Sequence, residues 1–224
     1  MKSSSCRFQA IVVFIVLSSY ASQAQKLEIG ARLMPSFSSF DVKNSSGGTV
    51  KGSVKLGFGA AAMVAYNISK NVGIEADLVY NTISQTYTDQ NVEHKIRLSY
   101  VSIPLLISLN TNKTKKVNFN MILGPHIGIN VGSNIKTSGN DGINTSQAIL
   151  SVKKNDLGIT YGAGLDIGLN DENSFRLNFG YRGATGLIDV SDNTNSITTN
   201  SYYVLDGTRI TINSAYIGIS YLIF

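Results

Sequence analysis

The stretch Val117-Asn118-Phe119-Asn120-Met121-Ile122-Leu123-Gly124-Pro125-His126-Ile127-Gly128-Ile129-Asn130-Val131 decides how this chain is read. Every second residue from Val117 to Val131 is apolar, and those between are small or polar except Ile122. Successive side chains of a strand point to opposite faces, so strict alternation means one greasy face and one wet face. The run is more than twice the usual strand of about five or six residues. A strand that crosses a membrane at a tilt and continues beyond it has this length and this pattern.

The same alternation returns along the chain. Leu27, Ile29, Ala31 and Leu33 form one row, and Val54 to Tyr66 and Val72 to Tyr80 form two more. A fourth runs from about Ile96 to Leu109, and the opening stretch is the fifth. Leu157 to Leu169, Phe175 to Tyr181 and about Arg209 to Phe224 complete a set of eight. The connections sort by length. Asn67–Asn71, Asn110–Lys116 and Asn170–Ser174 are short, whereas Ser38–Ser53, Ser84–His94, Gly132–Asp156 and Gly186–Thr208 are long and polar. That order is what an all-β, eight-stranded antiparallel up-and-down transmembrane β-barrel requires, with short periplasmic turns and long extracellular loops. No run of about 20 apolar residues follows the first segment, so a bilayer-spanning helix is not expected. A chain that enters lipid on strands must close them, because an open edge leaves backbone groups unsatisfied there.

Residues 1–24 read as a secretory signal peptide and 25–224 as the outer-membrane barrel domain. Lys2 and Arg7 form the positive start, Ala10 to Leu17 the apolar run, and Ser22-Gln23-Ala24 a cleavage site before Gln25. Cys6, the single cysteine, precedes the apolar run and would leave with the leader, so no disulfide scaffold is expected. Of the 19 Lys and Arg and 14 Asp and Glu that set the net charge at +5, two cations belong to the leader. The remainder forms no basic stripe interleaved with aromatics, which gives no reason to expect nucleic acid as a partner. Lys113, Lys115 and Lys116 read as a solvated turn.

Aromatic side chains mark two levels. Tyr66, Phe119 and Phe175 sit at the short-turn ends, and Tyr80, Tyr100 and Tyr161 lie eight or nine residues up, roughly 20 Å at the tilt of such a strand. These would be the girdles that bound an apolar band. The fourth strand changes apolar parity between Tyr100 and Val101, with Pro104 just beyond. A β-bulge near Tyr100–Pro104 would explain both. In the last strand Ala215, Ile217, Ile219, Tyr221 and Ile223 share the lipid parity, and the terminal Phe224 is one residue out of step.

Tyr100-Val101-Ser102-Ile103-Pro104-Leu105-Leu106, Leu123-Gly124-Pro125, Tyr161-Gly162-Ala163-Gly164-Leu165 and Tyr181-Arg182-Gly183, in this order, resemble the PorT-like outer-membrane β-barrel family of Gram-negative bacteria. The resemblance spans about Lys26 to Phe224. It implies a small outer-membrane barrel, and it implies no single activity. The founding member is associated with a protein-secretion apparatus, and no residue here can be matched to that role.

The inward rows carry Glu28, Arg32, Glu75, Asp77, Asp166, Arg176 and Arg182, with His126 nearby. Strand position puts Glu28, Glu75, Asp77, Asp166 and Arg176 toward the short turns and Arg32, Arg182 and His126 higher. An eight-stranded barrel is just wide enough for side chains to fill it, so these charges read first as an internal ion-paired plug and second as a polar lumen for a solute. An enzyme would need a nucleophile, a base and an orienter within hydrogen-bond reach. Ser99 and Ser102 are joined by no motif to His94 or His126, and two separated histidines make a poor zinc site. Gly57-Phe58-Gly59 and Gly162-Ala163-Gly164 lie inside strands with no helix following, unlike nucleotide loops. No catalytic residue, metal site or cofactor is therefore expected.

The leading functional reading is an outer-membrane barrel with a structural or surface-interaction role, exported through a cleaved signal. Its expected partners are outer-membrane lipid, the barrel-assembly machinery during insertion, and an extracellular or secretion-complex protein reached through Gly132–Asp156 and Gly186–Thr208. Tyr202-Tyr203-Val204-Leu205 in the last loop reads as a contact patch or as the top of a hairpin. Two alternatives stay open: a narrow porin-like channel or transport and secretion accessory, and a soluble lipocalin-like barrel with its apolar face inside.

Overall fold

The computed structural model describes residues 26–50, 53–89, 91–139, 147–194 and 201–223. The leader read over residues 1–24, its cleavage before Gln25, and the terminal Phe224 lie outside the described residues. Eight long strands carry the fold: β1 Lys26–Ser39, β2 Leu56–Asn67, β3 Val72–Asp89, β4 Val92–Asn110, β5 Val117–Ser138, β6 Asn155–Gly168, β7 Phe175–Gly186 and β8 Thr211–Ile223. Each pairs antiparallel with its neighbours in sequence, and β8 pairs with β1. The sheet is thus closed, which satisfies the backbone of every strand and leaves no edge.

The register fixes the barrel's dimensions. Leu27 pairs with Tyr66, Tyr66 with Ile74, Ile74 with Ile107 and Ile107 with Leu123. Leu123 pairs with Tyr161, Tyr161 with Gly183, Gly183 with Asn213, and Asn213 with Phe37. One circuit that leaves β1 at Leu27 returns to it at Phe37, a stagger of ten residues. With eight strands this stagger sets a tilt of roughly 40° and a backbone radius of about 8 Å. An interior so narrow has room for side chains and little else.

Apolar rows face outward. Leu33, Leu78, Ile107, Phe119, Met121, Leu123, Ile127 and Ile217 are all more than half exposed in the isolated chain, while their neighbours Arg32, Asp77, Ser108, Asn118, Asn120 and His126 are buried inside. An outward apolar belt with a polar interior is the arrangement of a barrel in lipid. It overturns the lipocalin-like alternative, which needs the apolar face inside. Tyr66, Phe119, Phe175 and Tyr221 ring the short-turn end on the outer face, and Phe37, Phe58 and Tyr80 stand outward near the upper end. Tyr100 is a correction: it points inward and is 4% exposed, so it belongs to the core and not to a girdle.

The parity change in β4 has a different cause from the expected one. Even-numbered residues of β4 are buried from Val92 to Asn110 except the half-buried Ser102, so the strand itself never switches faces. The β3–β4 register is constant on both sides of Pro104, from Val72↔Leu109 to Asp89↔Val92. What changes is the environment. Ile96, Leu98 and Tyr100 face an apolar interior above the belt, whereas Ile103, Leu105 and Ile107 face outward within it. The bulge is in β5: Ser99 pairs with Gly132 and Tyr100 with Asn130, leaving Val131 as the extra residue.

The strands also run further than expected at the long-loop end. The stretch Ser84–His94 is not a loop. β3 and β4 stay paired to Asp89↔Val92, and Asn91 takes a positive φ of 63° in the tight turn. β5 continues past Val131 to Ser138. Within these extensions Ile83, Tyr87, Ile96, Leu98 and Tyr100 meet Phe40 and Val42 from the first loop and Val190, Tyr202, Val204 and Leu205 from the last, in one buried cluster. Tyr202, Val204 and Leu205 are therefore a lid over the barrel mouth, not an exposed contact patch.

Inward glycines make room for particular side chains. A Cβ on Gly164 would lie 2.0 Å from the hydroxyl of Tyr216, and one on Gly180 would lie 2.8 Å from it. Tyr216 is buried and fills the notch that these glycines leave. Gly164→Ala is expected to destabilise the folded barrel by about 1–3 kcal/mol through overpacking, measured by urea unfolding in lipid vesicles. An unchanged midpoint would show that Tyr216 has room to move.

Candidate functional site

The lumen holds two tiers of buried charge and a lid. At the short-turn end the centre is Asp166 of β6. Its Oδ2 accepts from Lys113 Nζ at 2.7 Å and Asn118 Nδ2 at 2.9 Å, and its Oδ1 accepts from Asn120 Nδ2 and Asn178 Nδ2, both at 2.9 Å. Lys113 also reaches Glu28 Oε2 at 3.0 Å, and Glu28 accepts from Ser220 Oγ at 2.7 Å. Arg176 closes the floor by donating to the carbonyls of Asn173 and Lys115 at 3.0 and 3.1 Å. Lys113 is a correction. Lys115 and Lys116 are exposed as a solvated turn should be, but Lys113 folds back into the barrel and is 7% exposed. Its backbone N–H donates to Lys70 O at 2.8 Å, which ties one turn to the next. Burial works against the ammonium, yet Glu28 and Asp166 outweigh it and raise its pKa.

The second tier joins β1, β3 and β7. Arg32 binds Glu75 with two donors, Nη1 at 2.6 Å and Nη2 at 3.2 Å, and Arg182 Nη2 reaches the same carboxylate at 3.0 Å. Arg182 Nη1 lies 2.5 Å from Asp77 Oδ2, and Arg32 Nη1 is 3.6 Å from that oxygen. The Arg32 guanidinium also stands 5.1 Å over the ring of Tyr216. Sequence position separates Glu75 and Asp77 from the two arginines, but side-chain reach brings all four together. Fork-shaped Arg–carboxylate pairing of this kind is how buried charges become tolerable.

Above it His126 Nδ1 shares a hydrogen bond with Thr160 Oγ1 at 3.0 Å, and its Nε2 lies 3.8 Å from Asp156 Oδ2. A cavity of about 20 Å³ remains between Met34, Ser102, Pro104, Thr160, Arg182 and Ser214, room for a single water. His94 is elsewhere, stacked on Tyr87 at 4.9 Å and bonded to Thr137 Oγ1 at 3.2 Å. Neither histidine has Ser99 or Ser102 as its partner. No group of three or more His, Cys, Asp or Glu gathers at one point among the described residues.

Residues 22–192 match the family model of the outer membrane protein beta-barrel domain. The chain belongs to that family. No curated protein matches it. Among solved structures it is similar to the outer membrane protein OprG from Pseudomonas aeruginosa, with a TM-score of 0.58 and 15% identity over 89% of this chain and 96% of that one. Neisserial surface protein A matches at a TM-score of 0.44 and 15% identity over 87% of this chain and 96% of that chain. Ail of Yersinia pestis matches at a TM-score of 0.41 and 13% identity over 88% and 99%.

The protein is thus an integral outer-membrane β-barrel, with short turns toward the periplasm and long connections outside. Its extracellular lid is braced by Asp189. That carboxylate accepts from the backbone N–H of Ser191 at 2.9 Å, its hydroxyl at 2.6 Å, and the N–H of Thr208 at 2.9 Å. Partial burial pushes its pKa up, but the hydrogen bonds from Ser191 and Thr208 outweigh that and lower it. Gln147–Ile149 pairs in parallel with Ser201–Tyr203, so two long loops share a small sheet over the mouth.

Two outcomes follow for this outer-membrane barrel. Lys113→Met removes the one cation that, among the described residues, forms ion pairs with both Glu28 and Asp166 and is expected to cost about 3–5 kcal/mol, the scale for stranding buried charge, read by urea unfolding in vesicles. The Asp189 brace is present above pH 3.8, the ordinary value, and lost as pH falls through the lower folded value. The Ser191 and Thr208 amide resonances should therefore titrate together with a midpoint below 3.8, and Asp189→Asn should abolish that titration.

Proposed function

We propose that this outer-membrane barrel is a non-conducting scaffold that presents a structured extracellular surface to a protein partner. The observation that carries this reading is the packing of the loops. Phe40 and Val42 of the first loop and Val190, Tyr202, Val204 and Leu205 of the last share one core with the extended strands. A buried Val, Leu or Ile contributes about 1.5–3 kcal/mol relative to an exposed one, so a cluster of this size holds the described parts of these loops in one shape. Preordered loops lose little entropy on binding. The polar remainder of these loops is then the recognition surface, and an extracellular or secretion-complex protein fits it better than a solute does.

The same packing argues against a pore. The mouth is filled by the apolar lid, the middle by the Arg32–Glu75–Arg182–Asp77 tier, and the floor by Lys113 and Arg176. No step of a reaction is assigned to any residue, and the reading is of a protein that is not an enzyme. Within the wider family the motifs Tyr100–Leu106, Leu123–Pro125 and Tyr181–Gly183 favour the PorT-like branch, and insertion would use the barrel-assembly machinery common to such barrels. The purified barrel in a planar bilayer is expected to show no steady conductance, and site-specific crosslinkers in the last loop are expected to yield a discrete protein adduct in cells. Stable single-channel openings in the bilayer would instead support the channel alternative.

A further inference from the structure

Above the apolar belt the outer surface over β2 to β5 carries, among the described residues, four exposed cations: Lys55 just before β2, and Lys95, Arg97 and Lys136. Their placement is built in by two local irregularities. The extra residue Val131 flips the parity of β5, so Ile135 turns inward against the lid and Lys136 faces out opposite Lys95. At the start of β2 the register also slips by one, from Phe58↔Thr82 to Ser53↔Thr86, and the backbone N–H of Lys55 donates to Ser84 O. Ser84 pairs in turn with Arg97. Lys55, Arg97, Lys95 and Lys136 therefore stand on neighbouring ladder positions of one face.

Like charges directly opposite each other in a sheet are destabilising, and among the described residues none of the four forms an ion pair. Glu93, one pair further from the membrane on the same face of β4, is the acidic residue near them. The patch thus has an electrostatic cost that a bound anion would relieve. Its height identifies the anion. Arg97 is four residues above Val101, the last outward apolar residue of β4, which is paired with Tyr80 at the upper end of the belt. At about 2.5 Å of height per residue the guanidinium root is about 10 Å above the hydrocarbon edge. Lys55, bonded to Ser84 beside Arg97, stands at the same height, and Lys95 and Lys136, two residues higher at about 15 Å, add positive field from above. Headgroups fill roughly the first 5–8 Å there, and the long side chains of Lys55 and Arg97 reach down to them.

We propose that Lys55, Lys95, Arg97 and Lys136 form a ledge that binds the phosphates of anionic lipid headgroups in the outer leaflet, on the β2–β5 side of the barrel. The ledge continues the lipid-facing surface directly, so the lipid that covers the belt below also supplies the phosphate above. One side of the barrel would thereby hold its annular lipid more firmly than the other.

The test is native mass spectrometry of the full barrel, released from micelles doped with equal phosphatidylglycerol and phosphatidylcholine. The wild type should retain phosphatidylglycerol preferentially, by on the order of fivefold for each engaged charge. Lys55→Gln, Lys95→Gln, Arg97→Gln and Lys136→Gln combined should bring the two lipids to parity, while Lys95→Arg with Lys136→Arg should keep the preference. Heat-modifiable gel mobility checks folding of each variant, and Arg97→Gln alone, with a partial loss, replaces the combined variant if that fails to fold. A wild type without preference, a folded Gln variant that keeps the full preference, or an Arg variant that loses it would each overturn the proposal.

Discussion

The Glu75 carboxylate, held between Arg32 and Arg182, is the contact on which the rest of the interior depends. It sits in a barrel whose stagger of ten residues over eight strands leaves a radius of about 8 Å, so no layer of water can solvate it. The charge must be met by side chains, and only arginine reaches across the lumen with a fork that fits a carboxylate. Once Arg32 is committed to Glu75, its flat face is available to Tyr216, and Tyr216 in turn needs the notch at Gly164 and Gly180. A single buried anion thus dictates the residues of four strands.

The two ends of the lumen are closed by unlike chemistry. The periplasmic floor is polar, built from Asp166, Glu28, Lys113 and the asparagines Asn118, Asn120 and Asn178, whose amide nitrogens all donate to Asp166. The extracellular lid is apolar, built from Phe40, Val42, Val190, Tyr202, Val204 and Leu205 of two loops. This division follows from what lies around each end. Inside the lipid belt the outer face is committed to apolar residues, which leaves polar residues for the interior. Beyond the belt the outer face meets water, and the pattern inverts.

That inversion explains what could and could not be read from the sequence. The eight strands, the closure and the outward apolar rows were legible because period-two alternation is a local signal. The parity change at Tyr100 was legible as well, but its cause was not. An apolar residue in a strand reports that it is sheltered and does not say whether lipid or protein shelters it. For the same reason the alternation alone puts Tyr100 in a girdle, and Ser84–His94, whose inward residues mix Tyr87 with the polar Gln85 and His94, carries the polar composition of a loop. Lys113 could not be recognised as interior, since its burial depends on Glu28 and Asp166, which are distant in sequence and adjacent only after closure. The central tier was half legible: its members were evident as inward charges, but side-chain reach along the barrel axis, which joins Arg32 to Glu75, leaves no trace in strand position.

The floor of the barrel also constrains the order in which it can be made. Lys113 comes from a turn in the middle of the chain, Asp166 from β6, Glu28 from the first strand and Ser220 from the last. Until β8 meets β1, Glu28 lacks its Ser220 partner, and the Lys113 turn has no closed wall to fold into. A half-built sheet entering the bilayer would carry unpaired carboxylates toward hydrocarbon. The charges at the floor therefore act as a latch that rewards only the finished ring, making insertion and closure one event and leaving partially inserted sheets without a resting place.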